Sequence, residues 1–278
     1  MGILKVQIRR AFRSKTLPYV ALVSLFAMAA CHVWVCLGFW GHDMGELPDA
    51  SAMWAGNYQT TGSMFVCFFV TYLAPPLSSA IYGDNLYRDI RTHSAHYQVT
   101  RASLGSYVVA GAVAAFLVSF VTFFLVYMSS LLMALLAFPV QTGWESYRIL
   151  ATSAVTNREG LDVVRGMPFG GLCLANRYLY DLTYCAYDAL WAAIMALASY
   201  VTSLFTHGNR LVVVGLPTLV FLVSWLVVPS GYNVVVLLLP TVLDSVSMSA
   251  FVLTPIFAMA LLALLAATKL RFDKDILL

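Results

Sequence analysis

The sequence predicts an all-α, polytopic membrane protein, and three observations carry that prediction. Of the 278 residues, 61% are hydrophobic and only 10% charged, with a mean hydropathy of +0.82, far from the balance of a water-soluble domain. The apolar residues gather into runs of about twenty, the length that crosses ~30 Å of hydrocarbon. Lipid offers no hydrogen bonds, so a crossing segment must satisfy its own backbone, which a helix does. One transmembrane domain, residues 1–278, is expected. The net charge of +3 is modest and speaks of orientation in the bilayer, not of nucleic acid. Cys31, Cys36, Cys67, Cys173 and Cys185 form no CxxC pair, so neither a disulfide framework nor a zinc site is suggested.

The elements follow in order. Residues 1–16 read as an amphipathic interfacial helix, with Leu4, Ile8, Ala11 and Phe12 on one face and Lys5, Arg9 and Arg13 on another. Five basic residues without an acidic one suit an anionic cytoplasmic leaflet. The first span is expected over about 17–40. Met28-Ala29-Ala30-Cys31 is close to a lipoprotein cleavage box, but the apolar run continues past it to Trp40, which argues for retention.

The loop after it carries Asp43, Glu46 and Asp49 and no cation, whereas the island after the second span (63–82) carries Arg88, Arg91 and Arg101. The first loop is therefore expected outside and the island inside. Pro75-Pro76 remove two backbone donors and should kink the second span near its inner end. Gly83 should stop that helix, and Asp84 should cap the next by accepting its free backbone donors. In the short helix so begun, Leu86, Ile90, His93 and Tyr97 fall on one face and Arg88, Asp89, Arg91 and Thr92 on the other. The third span, 107–138, is longer than a bilayer requires. On it Gly111, Ala114, Ala115, Ser119 and Thr122 form a small-residue stripe suited to helix packing.

The segment 139–182 is the expected external loop, its charges balanced between Glu145, Glu159, Asp162 and Asp181 and Arg148, Arg158, Arg165 and Arg177. Spans at 183–205, 211–228 and 251–268 follow. Val234–Leu243, interrupted by Pro240, is too short to cross and reads as re-entrant or surface-lying. Six spans with both termini cytoplasmic put twelve of the sixteen lysines and arginines inside.

These residues carry a resemblance. The elbow between spans two and three has the form P-x5-YGDxxYRD and ends in YxVTRxSxxxY, with Gly83, Asp84, Arg88, Asp89, Thr100 and Arg101 at its marked positions. Together with the basic interfacial helix, the six spans and the re-entrant stretch, it resembles the ABC-2 type permease family, the membrane subunits of ATP-binding cassette exporters. Two features depart from the pattern: the larger external segment lies between spans three and four, and Tyr87 stands where an acidic residue commonly precedes the arginine. The resemblance implies a coupling helix seated in a groove of a separate ABC ATPase subunit, and a second permease subunit completing the pathway. Asp84, Arg88, Asp89 and Arg91 would be its contact residues and Leu86, Ile90 and Tyr97 would fill the groove. ATP and Mg would belong to the partner, since this sequence has no GxxxxGK[ST] loop; no cofactor and no catalytic group are expected on this chain.

One other group stands out. Asp188 lies inside the fourth span, where a carboxylate costs several kcal/mol unless paired, protonated or wet. Asp181, Tyr184, Asp188 and Trp191 recur at spacings of three and four, so they share a face that could line a translocation path opening to an external vestibule. The alternative function built on that face is an ion-coupled secondary carrier using Asp188; the bland alternative is a hydrogen bond from Asp188 to a neighbouring helix. Asp89, His93 and His96 have helical metal-ligand spacing but no fourth ligand, and His32 and Cys36 read as packing.

Overall fold

The computed structural model describes residues 2–43, 47–54, 67–92, 94, 103–140, 168–206, 209–240 and 247–272. Among them the regular structure is helical throughout. The elements are α1 (Gly2–Phe12), α2 (Thr16–Gly38), α3 (Ala50–Trp54), α4 (Ala74–Tyr82), α5 (Asn85–Arg91), α6 (Leu104–Ala137), α7 (Gly170–Ala175), α8 (Arg177–Thr202), α9 (Arg210–Val227), α10 (Val234–Leu237) and α11 (Met248–Phe272). Five of them, α2, α6, α8, α9 and α11, are long and apolar enough to cross a membrane.

The expected second span is different in kind. Its described part, 67–82, is helical but changes register: a π-helical turn over Phe69–Leu73 runs into α4, and the Ala74 N–H bonds the Phe69 carbonyl five residues back. Pro75 and Pro76 occupy the first turn of α4. There their missing donors are tolerated, and a helical irregularity, the π turn, lies just before them.

The helix α8 is the hub, with 72% of its apolar window buried against 17% for α9 and for α11. It packs on α4, α6, α9 and α11, while α2 lies across α4 and α6. The small-residue stripe of α6 forms the closest of these contacts: Gly111, Ala114, Ala115 and Ser119 are buried, and the Ser119 hydroxyl donates to the Ala192 carbonyl of α8 at 3.4 Å. A Cβ on Gly111 would stand 2.1 Å from the Tyr200 hydroxyl oxygen. Glycine is there because an aromatic ring end occupies the side-chain volume. Serine hydroxyls tie the other faces of the hub, Ser79 to the Met195 carbonyl at 3.2 Å and Ser199 to the Val213 carbonyl at 3.0 Å.

Hydrogen bonds and ring contacts sort the helix ends. At one end lie α1, the starts of α2, α6 and α9, and the ends of α4 and α8, with Lys269 of α11 5.6 Å over the Phe205 ring. At the other end Phe39 meets Phe138, and Asp49 binds both Arg177 and Tyr178 at the start of α8. The chain thus runs alternately up and down. Several boundaries differ from expectation: α6 begins at Leu104, α8 begins at Arg177, six residues before 183, and ends at Thr202, and α11 runs from Met248 to Phe272, longer at both ends than 251–268. Asn176 caps α8 by accepting from the Leu179 N–H at 3.1 Å. Arg177 and Asp181, counted with the outer loop by their charge, are therefore helical and buried.

Of the expected re-entrant stretch, residues 234–240 are described and turn inwards, while 241–243 lie outside the described residues. A short 3-10 turn, Ser230–Tyr232, leads to Asn233, which accepts from the Val235 N–H and donates to the Trp225 carbonyl. The single turn of α10 follows and ends before Pro240, with Val235, Leu237 and Leu238 buried. The Tyr180 hydroxyl donates to the Pro240 carbonyl at 3.1 Å, satisfying a backbone acceptor that no helix serves.

Candidate functional site

Two places gather the charged residues, and the first is the junction of α1, α4 and α5. Gly83 does not end α4 by a left-handed turn, for its φ is −61°. A Cβ there would meet the Ser79 carbonyl at 2.5 Å and Ser199 at 2.7 Å, so glycine permits α4 to close on α8. Asp84 stands at the N-cap position of α5 without capping it. Its fully buried carboxylate takes Arg88 of α5 on Oδ1 and Arg210 of α9 on Oδ2, both at 2.5 Å. A charge-assisted bond to two guanidinium groups outcompetes a bond to a neutral N–H.

Asp89 is the centre of a second network. Arg10 of α1 reaches both its oxygens, at 2.5 and 2.7 Å, and the Tyr107 hydroxyl of α6 donates to Oδ2. The Asn85 amide at 3.2 Å and the Ser94 hydroxyl at 3.0 Å complete it. The Arg10 guanidinium is opposed by burial, yet the hydrogen bonds and charge of Asp89 hold it above its ordinary range. One turn earlier on α1, Gln7 accepts the Tyr82 hydroxyl at 2.7 Å. The docked face of α1 is thus Ile3, Gln7 and Arg10 together with Ile8 and Ala11, two of the four residues of the expected apolar stripe. Leu4 and Phe12 remain exposed, which suits a helix that meets protein on one side and lipid on another.

The expected coupling residues therefore divide. Asp84, Leu86 and Asp89 face the interior, Ile90 is half-buried, and Arg88 and Arg91 reach outwards. Tyr97 lies outside the described residues, as do His93 and His96; among the described residues no cluster could hold a metal ion. Beside the junction is an open cleft of about 750 Å³ whose cations are Arg9, Arg10, Arg13, Lys15 and Arg88. Arg10 had a sequence signature as a special residue: it breaks the Lys5, Arg9, Arg13 rhythm and sits three residues after Gln7. Tyr107 and Arg210 had none beyond their nearness to helix ends.

The second place is the buried face of α8. Asp181, Tyr184, Asp188 and Trp191 do share it, at 1%, 3%, 4% and 6% exposure, and it is turned into the bundle. Among the described residues two voids lie beside Asp188, with about 20 and 10 Å³ open to the centre of a water molecule. Towards the start of α8, buried Arg177 and Asp49 pair at 3.1 Å, and the Tyr178 hydroxyl donates to Asp49 at 2.9 Å. No family model, curated protein or solved structure matches this chain. What the two places do has to come from their own chemistry.

Proposed function

We propose that the chain is the membrane-spanning permease subunit of an ATP-driven ABC exporter. In this reading it works with a separate ABC ATPase subunit and a second permease subunit to move a hydrophobic or amphipathic substrate outwards. It sits in the cell membrane as six spans, the helix at 67–82 belonging to the second, with both termini cytoplasmic. The observation that carries the reading is the lock between α1 and α5. Arg10 and Asp89 join an amphipathic basic helix to a short inter-span helix, and both are bonded onto the start of α6 and the end of α4. A push on α5 is thereby passed to two long helices and, through Asp84 and Arg210, to α9. Arg9, Arg13, Lys15, Arg88 and Arg91 give that lever a positive face to which an acidic groove of a partner would be steered.

The test is co-purification with the ATPase and stimulation of its turnover. Arg91→Glu is the decisive variant: Arg91 is exposed and makes only a long contact of 3.4 Å to the Tyr87 hydroxyl among the described residues, so the fold survives its reversal. Arg88→Glu would also break the pair with Asp84 and confuse the two effects. Arg91→Glu should weaken the complex by about tenfold, the ~1.4 kcal/mol of one interfacial charge pair. An ATPase that binds and turns over equally well with this variant would remove α5 as the docking element.

A second reading, an ion-coupled secondary carrier working through Asp188, is favoured by one observation: the carboxylate is buried and its Oδ1 has no hydrogen-bond partner. Asp188→Asn would then abolish ion-dependent flux with no ATPase present.

A further inference from the structure

The geometry points to a membrane-buried proton site at Asp188, linked through one bound water to Ser130 and His32. The site does not depend on what drives transport. Asp188 is eleven residues into α8, ~16 Å from its start and so near mid-span. Its Oδ1 has no protein partner. Among the described residues, the titratable groups that face it are Cys67 before the π turn, Tyr127 of α6, and Tyr184, Cys185 and Tyr187 of its own helix. None of these brings a positive charge, and Met28, Val70 and Leu238 complete an apolar wall. An ionised carboxylate without a countercharge in such surroundings is far costlier than a protonated one, so the stable form carries the proton.

Two departures from regular helix converge on this carboxyl. Val70 of the π turn lines both voids, and Leu238 lines both from the broken end of α10, joined in the larger by Leu239 and Pro240. Ser130 of α6 also lines the larger void. At about 20 Å³ it exceeds the ~10–15 Å³ that one water centre requires and is too small and too apolar for a hydrated metal cation. A water there has the Asp188 carboxyl and the Ser130 hydroxyl as partners. Ser130 Oγ is 3.0 Å from His32 Nε2, and His32 is buried on α2.

The donors then run in one direction. Protonated Asp188 donates to the water, the water donates to Ser130 Oγ, and the Ser130 hydroxyl donates to His32 Nε2, with the ring proton on Nδ1. Moving one proton along the line leaves Asp188 ionised and His32 doubly protonated, a charge pair that replaces the neutral acid. The site therefore stores a proton on α8 and can hand it to α2 without any other reactant.

Infrared difference spectroscopy of the full chain in lipid nanodiscs tests this. Wild type minus Asp188→Asn should show, at neutral pH, the carbonyl stretch of one protonated carboxyl group, sensitive to deuteration. Ser130→Ala and His32→Gln should each shift that band, because each removes a link in the line. Absence of the band would overturn the protonated state, and a band that neither variant shifts would overturn the water link. Asp188→Glu, which keeps the acid and moves the band, gives the same reading if the asparagine variant does not fold.

Discussion

Removing Arg10 should release α1 from the rest of the protein. Asp89 is 1% exposed, and Arg10 supplies two of its hydrogen bonds, at 2.5 and 2.7 Å, together with its positive charge. Taking away one partner of a buried pair costs ~3–5 kcal/mol when the remaining charge is left bare. Here Tyr107, Asn85 and Ser94 still donate to the carboxylate, and Arg10 is itself 39% exposed and partly screened. Both reduce the loss, to about 2 kcal/mol for Arg10→Ala. Asp89→Ala should cost about 3 kcal/mol, because it also strands the fully buried Tyr107 hydroxyl. The apparent melting temperature in detergent should fall by roughly 5 °C for Arg10→Ala and further for Asp89→Ala. Trypsin should cut faster at Lys5, Arg9 and Arg13 in both variants. The double variant should be no worse than Asp89→Ala alone, since both changes break the same bonds. Losses that add in full would mean that the two residues act separately and would refute the lock.

Gly111→Ala places a methyl 2.1 Å from the Tyr200 hydroxyl oxygen inside the α6–α8 contact, and should lower the yield of folded protein by forcing those helices apart; Tyr200→Leu should restore part of it, read by size-exclusion profile and melting temperature. Arg177→Met leaves Asp49, which is fully buried, without its charge partner and should destabilise by about 3 kcal/mol or more, whereas Arg177→Met combined with Asp49→Leu should be milder, as thermal melts would show. Burial pushes the Cys173 thiol up to about 11, with Arg177 pulling down and Asp181 adding to the rise. Because the thiolate is the reactive form, maleimide labelling of Cys173 in the folded protein should stay slow from neutral pH up to that value and become fast on denaturation; rapid labelling of native protein near neutral pH would contradict its burial.

The long helices were legible in the sequence because hydropathy depends on composition over some twenty residues, and no neighbour can change it. Five of the expected spans appear within a few residues of their sequence boundaries, and the stripe from Gly111 to Ser119 packs as its spacing indicated. What sequence reasoning missed shares one physical cause. Charge was read as exposure at Asp84, Asp89, Arg177 and Asp181, yet each is buried, and Asp84, Asp89 and Arg177 are paired at long range, to Arg210, Arg10 and Asp49. Pairing between residues up to 129 positions apart leaves no local period, whereas the pair Asp84 with Arg88, four residues apart, could be read directly.

Long-range pairing also fixes how α1 is held. A helix held to a bundle by apolar burial alone would slide, because neighbouring Leu and Val contacts differ little in energy and lipid competes for them. The helix α1 is held instead by Gln7 and Arg10, one turn apart, each with a directional partner on a different segment: Tyr82 at the end of α4 and Asp89 on α5. Two directional bonds set both the height and the rotation of α1 against α5, so movement of either helix carries the other. Loss of the Tyr82 hydroxyl in Tyr82→Phe removes one of the two constraints while Arg10–Asp89 stays. That variant should keep α1 docked but let it pivot, seen as a broadened spin-label distance distribution between α1 and α5 with an unchanged mean. A shifted mean would show that Gln7 sets the height, and an unchanged width would show that Arg10 alone fixes the orientation.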